Sequence, residues 1–160
     1  MSKHTALPEA FEPAFVNGLK AIFEEKIPFN RILGLHITEL RPDRVTGRID
    51  MQPHLVGTFS QNRLHGGVIS AALDAMGGLA CMAAIGARHM DTPPEHRLQR
   101  FAKLGTIDLR IDYLRPGRGK RFSASAVPLR AGNKVAVVRS ELHNEEGLLV
   151  AVGTGTYLCG

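Results

Sequence analysis

The sequence predicts an α+β domain in which an antiparallel sheet wraps around one long, buried helix. The helix is predicted from about twenty apolar or small residues at 68–87, which show no polar face and carry only one charge, Asp74. The sheet is predicted from two strand-like segments before this run and four after it. The chain has 160 residues, of which 44% are hydrophobic, so it can bury one core as a single domain.

The N-terminal segment is predicted to form a helix over residues 8–26, because Pro8 suits a first turn and apolar side chains recur at three- and four-residue spacing. These apolar residues are Phe11, Phe15, Leu19, Ile22 and Phe23. Pro28 ends the helix, and residues 29–33 are expected to form a short helical turn. We therefore divide the chain into an N-terminal helix at 1–27, packed on the body, and a single domain at 28–160.

A hairpin is predicted next. Residues 35–40 and 44–51 have the composition of strands, and the Arg-Pro-Asp sequence between them favours a turn. Residues 53–63 are polar and irregular. A loop should therefore bring the chain to His65.

The central helix carries the first candidate site. His65, Gly66 and Gly67 stand at its predicted N-terminus, where the first amides lack partners and the helix dipole presents partial positive charge. Such an end can hold an oxyanion, and Asp74 further along supplies a base or a nucleophile. The alternative is a close-packed glycine turn with a hydrogen-bonded carboxylate in the core. We favour a functional role because the two features occur together.

A membrane span is the competing interpretation of this helix, since its length is close to the ~20 residues that cross a bilayer. Asp74 would then lie near the bilayer centre at a cost of roughly 3 kcal/mol. Alanine and glycine also supply little insertion energy. The sequence therefore favours a core helix.

Four strands are predicted after the helix. The polar stretch 88–103 precedes them and is expected to form a lid or a short extra helix. The first strand, 106–114, alternates between a charged face for solvent and an apolar face for burial. The apolar face holds Ile107, Leu109, Ile111 and Tyr113. The remaining strands are 122–129, 135–143 and 148–158. Short turns join the four strands, so we expect an antiparallel meander.

The charge pattern narrows the class of partner. The formal net charge is +5, but the basic residues are not interleaved with the nine aromatic residues and form no long block. A phosphorylated small molecule therefore fits better than nucleic acid. The densest basic turn contains Arg115, Arg118, Lys120 and Arg121. It is either a phosphate contact or a solvated loop.

The cysteines and the N-terminus exclude further classes. Cys81 and Cys159 make neither a disulfide framework nor a zinc-ligand spacing, and no nucleotide-binding fingerprint is present. We therefore expect no metal and no cofactor. The N-terminus lacks a basic region followed by a continuous apolar region, so no signal peptide is predicted and the protein is expected in the cytoplasm.

Three motifs occur in order along the chain: His-Gly-Gly with an aspartate seven residues later at 65–74, GTIDLRIDYLRPG at 105–117 and GTGTY at 153–157. This ordered set resembles the hot-dog-fold acyl-CoA thioesterases, and within them the PaaI-like branch. It is most similar to the bacterial medium- and long-chain acyl-CoA thioesterases. The resemblance runs from Pro28 onward and implies a hot-dog fold that hydrolyses acyl-CoA to free fatty acid and CoA.

The resemblance also implies catalytic roles. Asp74 is the base or nucleophile, the Gly66 N–H polarises the thioester carbonyl, and His65 shapes the corner more plausibly than it titrates. Related enzymes use a Ser or Thr after the helix to hold the attacking water. Thr92 is the only hydroxyl residue of the 88–103 stretch.

Substrate-binding roles are implied for the residues around the corner. Relatives place an Asn before the His-Gly-Gly motif, and Asn62 is the candidate for this position. Gly67 is a further candidate for contact with the substrate. The basic turn is the candidate for the CoA phosphates. Two other functions stay open: a hot-dog hydratase or dehydratase, which usually needs a His working with an acid, and a non-catalytic acyl-CoA-binding module. Asp74 argues against the binding module.

Gly66 and Asp74 are too far apart to act together in one chain. They are separated by eight residues, which is about 12 Å along an ideal helix. The simplest shared site pairs Gly66 of one subunit with Asp74 of another across a two-fold axis. The resemblance implies the same arrangement. We therefore expect a homodimer or a dimer of dimers.

Overall fold

The computed structural model describes residues 10–159 as an antiparallel six-stranded sheet folded around a central helix. The six strands are β1 (His36–Leu40), β2 (Val45–Asp50), β5 (Gly105–Tyr113), β6 (Arg121–Ala131), β7 (Val135–Asn144) and β8 (Leu149–Leu158). Their order in the sheet is β1-β2-β6-β7-β8-β5. The loop before the central helix holds a two-stranded ribbon of β3 (Val56–Thr58) and β4 (Arg63–Leu64). The predicted α+β class and the β1–β2 hairpin are confirmed.

The central helix, α3, spans Gly66–Arg88 and lies against the sheet, chiefly β6, β7 and β8. Every residue from 76 to 87 is buried, so this part of the helix has no face for water. Within residues 10–159, α3 is the one helix long and apolar enough to cross a membrane, and 78% of its apolar stretch is buried inside the protein. This burial supports the core-helix interpretation.

Two glycines of α3 let aromatic rings reach the helix backbone. A side chain at Gly77 would collide with the Tyr157 hydroxyl, and one at Gly86 would collide with the Phe15 ring. Both aromatic side chains are buried. Close packing of the helix against its surroundings therefore depends on these two glycines.

The N-terminal helix is shorter than the predicted 8–26. α1 spans Pro13–Lys20 and continues as a π-helical turn, Ala21–Lys26. Residues 10–12 are not helical, because Glu12 is extended and the proline after it takes the first helical position. Pro8 lies outside the described residues. The division of the chain after residue 27 stays a prediction.

Two short helices complete the fold. α2 (Pro28–Leu33) ends at Gly34, whose φ of +66° favours glycine. The polar insertion forms α4 (Pro94–Gln99) and a 3₁₀ turn, Arg100–Lys103. The insertion is therefore a short extra helix, which was one of the two predicted alternatives.

Arg97 links α4 to α1 and α3. Its side chain is only 1% exposed, forms an ion pair with Glu12 and donates to the Gly86 carbonyl at 3.3 Å. The guanidinium also lies 4.4 Å from the centroid of the Phe15 ring. Burial lowers the pKa of this group. The three helices thus share one buried cation.

Strand β5 departs from the predicted meander. It pairs with β8 at the edge of the sheet and not with β6, so only β6, β7 and β8 form a meander. A β-bulge between Thr106 and Asp108 leaves Ile107 without a partner. The face predicted to be buried is only partly covered within one chain, since Ile107 is 58% exposed and Tyr113 54%.

Candidate active site

His65 closes the N-terminal end of α3. Its backbone is extended, and its Nδ1 accepts a hydrogen bond from the Gly67 N–H at 2.8 Å, which makes it the helix N-cap. A Cβ at Gly67 would lie 2.9 Å from this nitrogen, so the cap needs a glycine there. Because Nδ1 accepts, the proton of the neutral ring lies on Nε2. In this arrangement His65 shapes the corner, and the Gly67 N–H is already used.

Gly66 has a free backbone N–H. Within residues 10–159 no protein acceptor bonds this N–H, whereas the next amide donates to the His65 ring. The Gly66 carbonyl accepts a hydrogen bond from the Tyr113 hydroxyl at 3.1 Å, which ties the start of the helix to β5. An unpaired N–H at the positive end of a helix is suited to an oxyanion.

Asp74 lies about two turns further along α3. Its carboxylate is half-buried, and Oδ1 accepts a hydrogen bond from the Thr106 hydroxyl at 2.9 Å. The Tyr157 hydroxyl donates to the backbone carbonyl of Asp74 at 3.2 Å. In the part of the chain that the structure describes, Oδ2 has no protein donor. One carboxylate oxygen is therefore held in place and the other is free to act.

Tyr157 is a proton donor beside Asp74. Burial raises the pKa of its hydroxyl above the usual value, and the nearby Asp74 charge raises it further. The hydroxyl therefore keeps its proton at neutral pH. Its bond to the helix backbone persists under those conditions.

Thr106 is the hydroxyl residue that the sequence analysis missed. Strand alternation places it with Asp108 on the charged face, but the bulge at Ile107 reverses the alternation and sets Thr106 opposite Tyr157. Its side chain therefore points towards α3. The available signal was a threonine at the start of the first strand after the helix. Thr92 does not bond to Asp74.

A cavity of about 420 Å³ lies beside the Asp74 carboxylate. Its polar lining includes Asp74, Thr106 and Tyr157. Its apolar lining includes Phe23, Ile27, Ala71, Gly78, Phe101 and Leu104. The Phe23 and Phe101 rings meet edge to face with centroids 5.7 Å apart. A mainly apolar cavity with a few convergent polar groups is typical of a site for a small ligand.

The basic turn lies against the His65 corner. The Gly117 carbonyl accepts a hydrogen bond from the Leu64 N–H at 2.8 Å, and Arg118 donates to the Gln61 side chain at 3.1 Å. Both contacts join the turn to the segment just before α3. The basic turn and the start of α3 are therefore neighbours in the fold.

Part of the positive charge of this turn is already neutralised. Arg121 pairs with Asp50 at 3.2 Å, and the backbone N–H groups of Lys120 and Arg121 donate to Glu145. These hydrogen bonds lower the pKa of the Glu145 carboxyl. Within residues 10–159, Arg115 and Arg118 form no ion pair, and both line a second cavity of about 430 Å³. The carboxylate of Glu146 lines the same cavity, so the charge that these two arginines offer a phosphate is partly offset.

Asn62 occupies the turn before β4. Its φ of 46° and ψ of 49° are left-handed, a conformation that asparagine adopts more readily than most residues. Its side chain makes no hydrogen bond to the part of the chain described. Asparagine therefore has a conformational reason to be here, and its contact with substrate stays a prediction.

The structure divides the predicted site residues into two groups within one chain. Asp74 lies with Thr106, Tyr157 and the apolar cavity. His65, Gly66 and Gly67 lie with Asn62 and the basic turn, about 12 Å away along α3. Across residues 10–159, no group of three or more His, Cys, Asp and Glu side chains is arranged to hold a metal ion.

Comparisons with known proteins place the chain in a family. The family model described as the thioesterase superfamily matches residues 61–151. The medium/long-chain acyl-CoA thioesterase YigI of Escherichia coli is 48% identical over 139 residues, which cover 87% of this chain and 90% of YigI. The matched family region contains the His65 corner, Asp74, Thr106 and the basic turn, and it ends before Tyr157.

Two crystal structures show the same fold. A Shewanella oneidensis protein related to the thioesterase superfamily gives a TM-score of 0.85 at 45% identity, with 94% of this chain and 100% of that one covered. A candidate thioesterase from Syntrophus aciditrophicus gives a TM-score of 0.81 at 39% identity, with 91% and 95% covered. The predicted hot-dog fold is therefore confirmed.

Proposed function

The chain belongs to the thioesterase superfamily, and we propose that it hydrolyses medium- to long-chain acyl-CoA to free fatty acid and CoA. The observation that carries this proposal is the Asp74 carboxylate, held by Thr106 in the wall of a mainly apolar cavity. The name of the E. coli relative states the same substrate class.

The Gly66 N–H is the proposed oxyanion donor. As the thioester carbonyl is attacked, its oxygen gains negative charge, and an N–H at the positive end of α3 stabilises that charge. One such donor is typically worth about 10²–10³ in rate. His65 and Gly67 contribute by holding the corner in shape.

Asp74 is the proposed base or nucleophile. As a base, it takes a proton from water while the water oxygen attacks the carbonyl carbon; the C–S bond then breaks and the CoA thiolate leaves and is protonated. As a nucleophile, a carboxylate oxygen attacks the carbonyl carbon, the C–S bond breaks and the CoA thiolate leaves and is protonated; water then hydrolyses the resulting mixed anhydride to free fatty acid and the Asp74 carboxylate. Thr106 orients the carboxylate in either route.

A composite site between two subunits brings the two groups together. β5 is an edge strand, so one row of its N–H and C=O groups is unpaired, and it exposes the apolar side chains of Ile107 and Tyr113. The start of α3 and the Asp74 side chain both contact this strand, through Tyr113 and Thr106. We infer a homodimer or a dimer of dimers in the cytoplasm, with Gly66 of one subunit facing Asp74 of the next.

A hydratase is the weaker alternative. That chemistry usually needs a histidine working with an acid. Among the described residues of one chain no histidine lines the cavity beside Asp74, and Nδ1 of His65, the histidine next to Gly66, is already engaged in capping α3. The products separate the two reactions. Hydrolysis releases free CoA thiol, whereas hydration changes the absorbance of the enoyl group without releasing thiol.

Thiol release from a panel of acyl-CoAs tests the function. We expect the wild-type protein to release thiol most rapidly from medium and long chains, and Asp74→Asn to retain less than about a tenth of the wild-type kcat. Asp43→Asn, an exposed carboxylate at the β1–β2 turn, is the control and should be fully active. Turnover above a tenth by a folded Asp74→Asn protein would remove Asp74 from the chemistry.

Mixing two inactive variants tests the shared site. Gly66→Pro removes the N–H at a first helical position, which tolerates proline, and Asp74→Ala removes the carboxylate. After subunit exchange half the dimers are mixed and each holds one intact site, so about a quarter of the wild-type activity should return. No recovery despite verified exchange would place both groups in one subunit.

A further inference from the structure

The C-terminal end of α3 carries a basic pocket of about 210 Å³. Its lining consists of Arg88, His89, Arg100, Ile85, Gly132 and Asn133. We propose that this pocket binds a phosphate group, and that it is a second anion site separate from the basic turn between β5 and β6. The volume is that of about seven waters at ~30 Å³ each, which is enough for a phosphate or a diphosphate.

Arg88 is held in place before any ligand arrives. One terminal nitrogen donates to the Ala131 carbonyl at 2.7 Å, and the other donates to the Asn133 side chain at 2.8 Å. A guanidinium has five N–H donors, so three are left for a ligand. Because the side chain is already ordered by the β6–β7 turn, binding an anion costs little further conformational entropy.

The positive charge of the pocket is not cancelled by ion pairs. Within residues 10–159, neither Arg88 nor Arg100 pairs with a carboxylate, whereas Arg121 in the basic turn pairs with Asp50. The pKa of His89 is lowered by its burial, and then by the charges of Arg100 and Arg88. Asp91 opposes this effect but does not outweigh it. Three basic groups therefore lie close together with a net positive field.

The negative end of the helix dipole opposes this field, but one of its terminal carbonyls is already bonded. The carbonyl of Gly86, in the last turn of α3, accepts hydrogen bonds from the His89 N–H at 3.3 Å and the Arg97 guanidinium at 3.3 Å. These two hydrogen bonds partly neutralise the Gly86 carbonyl, which would otherwise repel an anion. Arg88 in the same turn adds a full positive charge.

The pocket is separate from the active-site cavity, although neighbouring residues of the 3₁₀ turn line the two. Arg88 is fourteen residues beyond Asp74, which is about 21 Å along α3. Arg100 lines the pocket, while the next residue, Phe101, lines the cavity. The ligand is therefore either the nucleotide end of a CoA whose thioester lies near Asp74, or a separate phosphorylated metabolite.

Binding of inorganic pyrophosphate tests the site without depending on catalysis. We expect saturable, salt-sensitive binding by calorimetry to the wild-type protein, and at least tenfold weaker binding to Arg100→Gln. Arg100→Gln is preferred because Arg88 also holds the β6–β7 turn. Arg44→Gln, an exposed arginine at the β1–β2 turn, is the control and should bind as the wild type does.

A second readout comes from the His89 ring. Bound pyrophosphate should raise the pKa of His89, measured by NMR, because it offsets the charges of Arg88 and Arg100. Absence of saturable binding, or equal affinity in wild type and Arg100→Gln, would overturn the proposal. Loss of thioesterase activity in any variant has no bearing on these two measurements, so this proposal and the proposed function fail independently.

Kinetics distinguish the two sources of phosphate. If the nucleotide end of CoA occupies the pocket, Arg100→Gln raises KM for acyl-CoA but not for acyl-pantetheine, and adenosine 3′,5′-bisphosphate competes with pyrophosphate. If a separate metabolite occupies it, pyrophosphate binding depends on Arg100 while both KM values stay unchanged. Either result supports the site and identifies its ligand class.

Discussion

At the scale of single residues, the environment of Asp74 decides what the central helix can do. A lone carboxylate on an apolar helix is compatible with a satisfied core residue. The structure instead gives one carboxylate oxygen to Thr106 and opens a cavity beside the carboxylate. We therefore propose Thr106 as a positioning residue and Asp74 as the group that meets the substrate.

Thr106→Val should lower kcat by about tenfold or more with a smaller change in KM, because the carboxylate loses its orienting donor while the cavity keeps its shape. Thr106→Ser retains a hydroxyl and should recover most of the activity. Steady-state thiol release by the two variants provides the comparison. A valine variant as active as the serine variant would mean that the hydrogen bond does not orient Asp74.

The raised pKa of Tyr157 predicts that the free energy of unfolding depends on pH. Its pKa is raised in the folded protein above the ordinary value of about 10. The stabilisation from its protonated hydroxyl is therefore fully present below about pH 10 and is lost as the pH rises through the raised value. Buried Cys81, whose pKa is also raised, adds a loss that begins at lower pH.

In Tyr157→Phe the free energy of unfolding should fall less steeply as the pH rises. It should still fall, because Cys81 is present. The measurement is the free energy of unfolding from urea titrations at several pH values between about 8 and 11. Identical pH profiles for the two proteins would show that Tyr157 ionises at its ordinary pKa.

At the scale of elements, the turns that follow α1 and α4 build part of the cavity. The π-helical turn after α1 supplies Phe23, and the 3₁₀ turn after α4 supplies Phe101. Arg97 ties the two helices together from a buried position. The shape of the cavity therefore depends on a contact that lies outside it.

Arg97→Ala should lower the free energy of unfolding by about 3 kcal/mol, because it removes a buried ion pair and a cation–π contact. The matched control is Arg110→Ala, which breaks an exposed pair with Asp112 and should cost less than about 1 kcal/mol. Chemical denaturation measures both. Similar losses in the two variants would mean that burial adds nothing to the Arg97 contacts.

At the scale of the whole molecule, charge is distributed unevenly over two basic regions. The basic turn lies at the N-terminal end of α3 and the proposed phosphate pocket at its C-terminal end. The net charge of +5 reflects both. Because α3 has 23 residues, these two regions lie roughly 30 Å apart along the helix in one chain.

Replacing Arg115, Arg118 and Arg121 together by Gln should raise KM for acyl-CoA and flatten its salt dependence, because screening acts on exposed charges. Acyl-pantetheine, which lacks the nucleotide phosphates, should be unaffected. Arg121→Gln alone is the control, since its pairing with Asp50 leaves it little charge for a ligand. Equal losses on both substrates would show that the turn has another role.

The sequence alone predicted the central helix, the six strands of the main sheet and the two parts of the candidate site. The buried helix followed from the absence of a polar face, and the strands from their alternation, because these patterns are local. The pairing of β1 with β2 was also predictable, since a short turn joins them. The family followed from three ordered motifs, and the separation of Gly66 from Asp74 from helix geometry alone.

The tertiary structure decided which residues surround the site. Thr106 and Tyr157 bond to Asp74 from 32 and 83 residues away in sequence, and no local pattern encodes contacts of that range. The bulge at Ile107 reverses the alternation that had placed Thr106 in solvent. The edge position of β5 likewise depends on its pairing with β8, from which β6 and β7 separate it in the sequence. Contacts between distant segments are chosen by the packing of the whole sheet around α3, and periodicity within one segment cannot specify them.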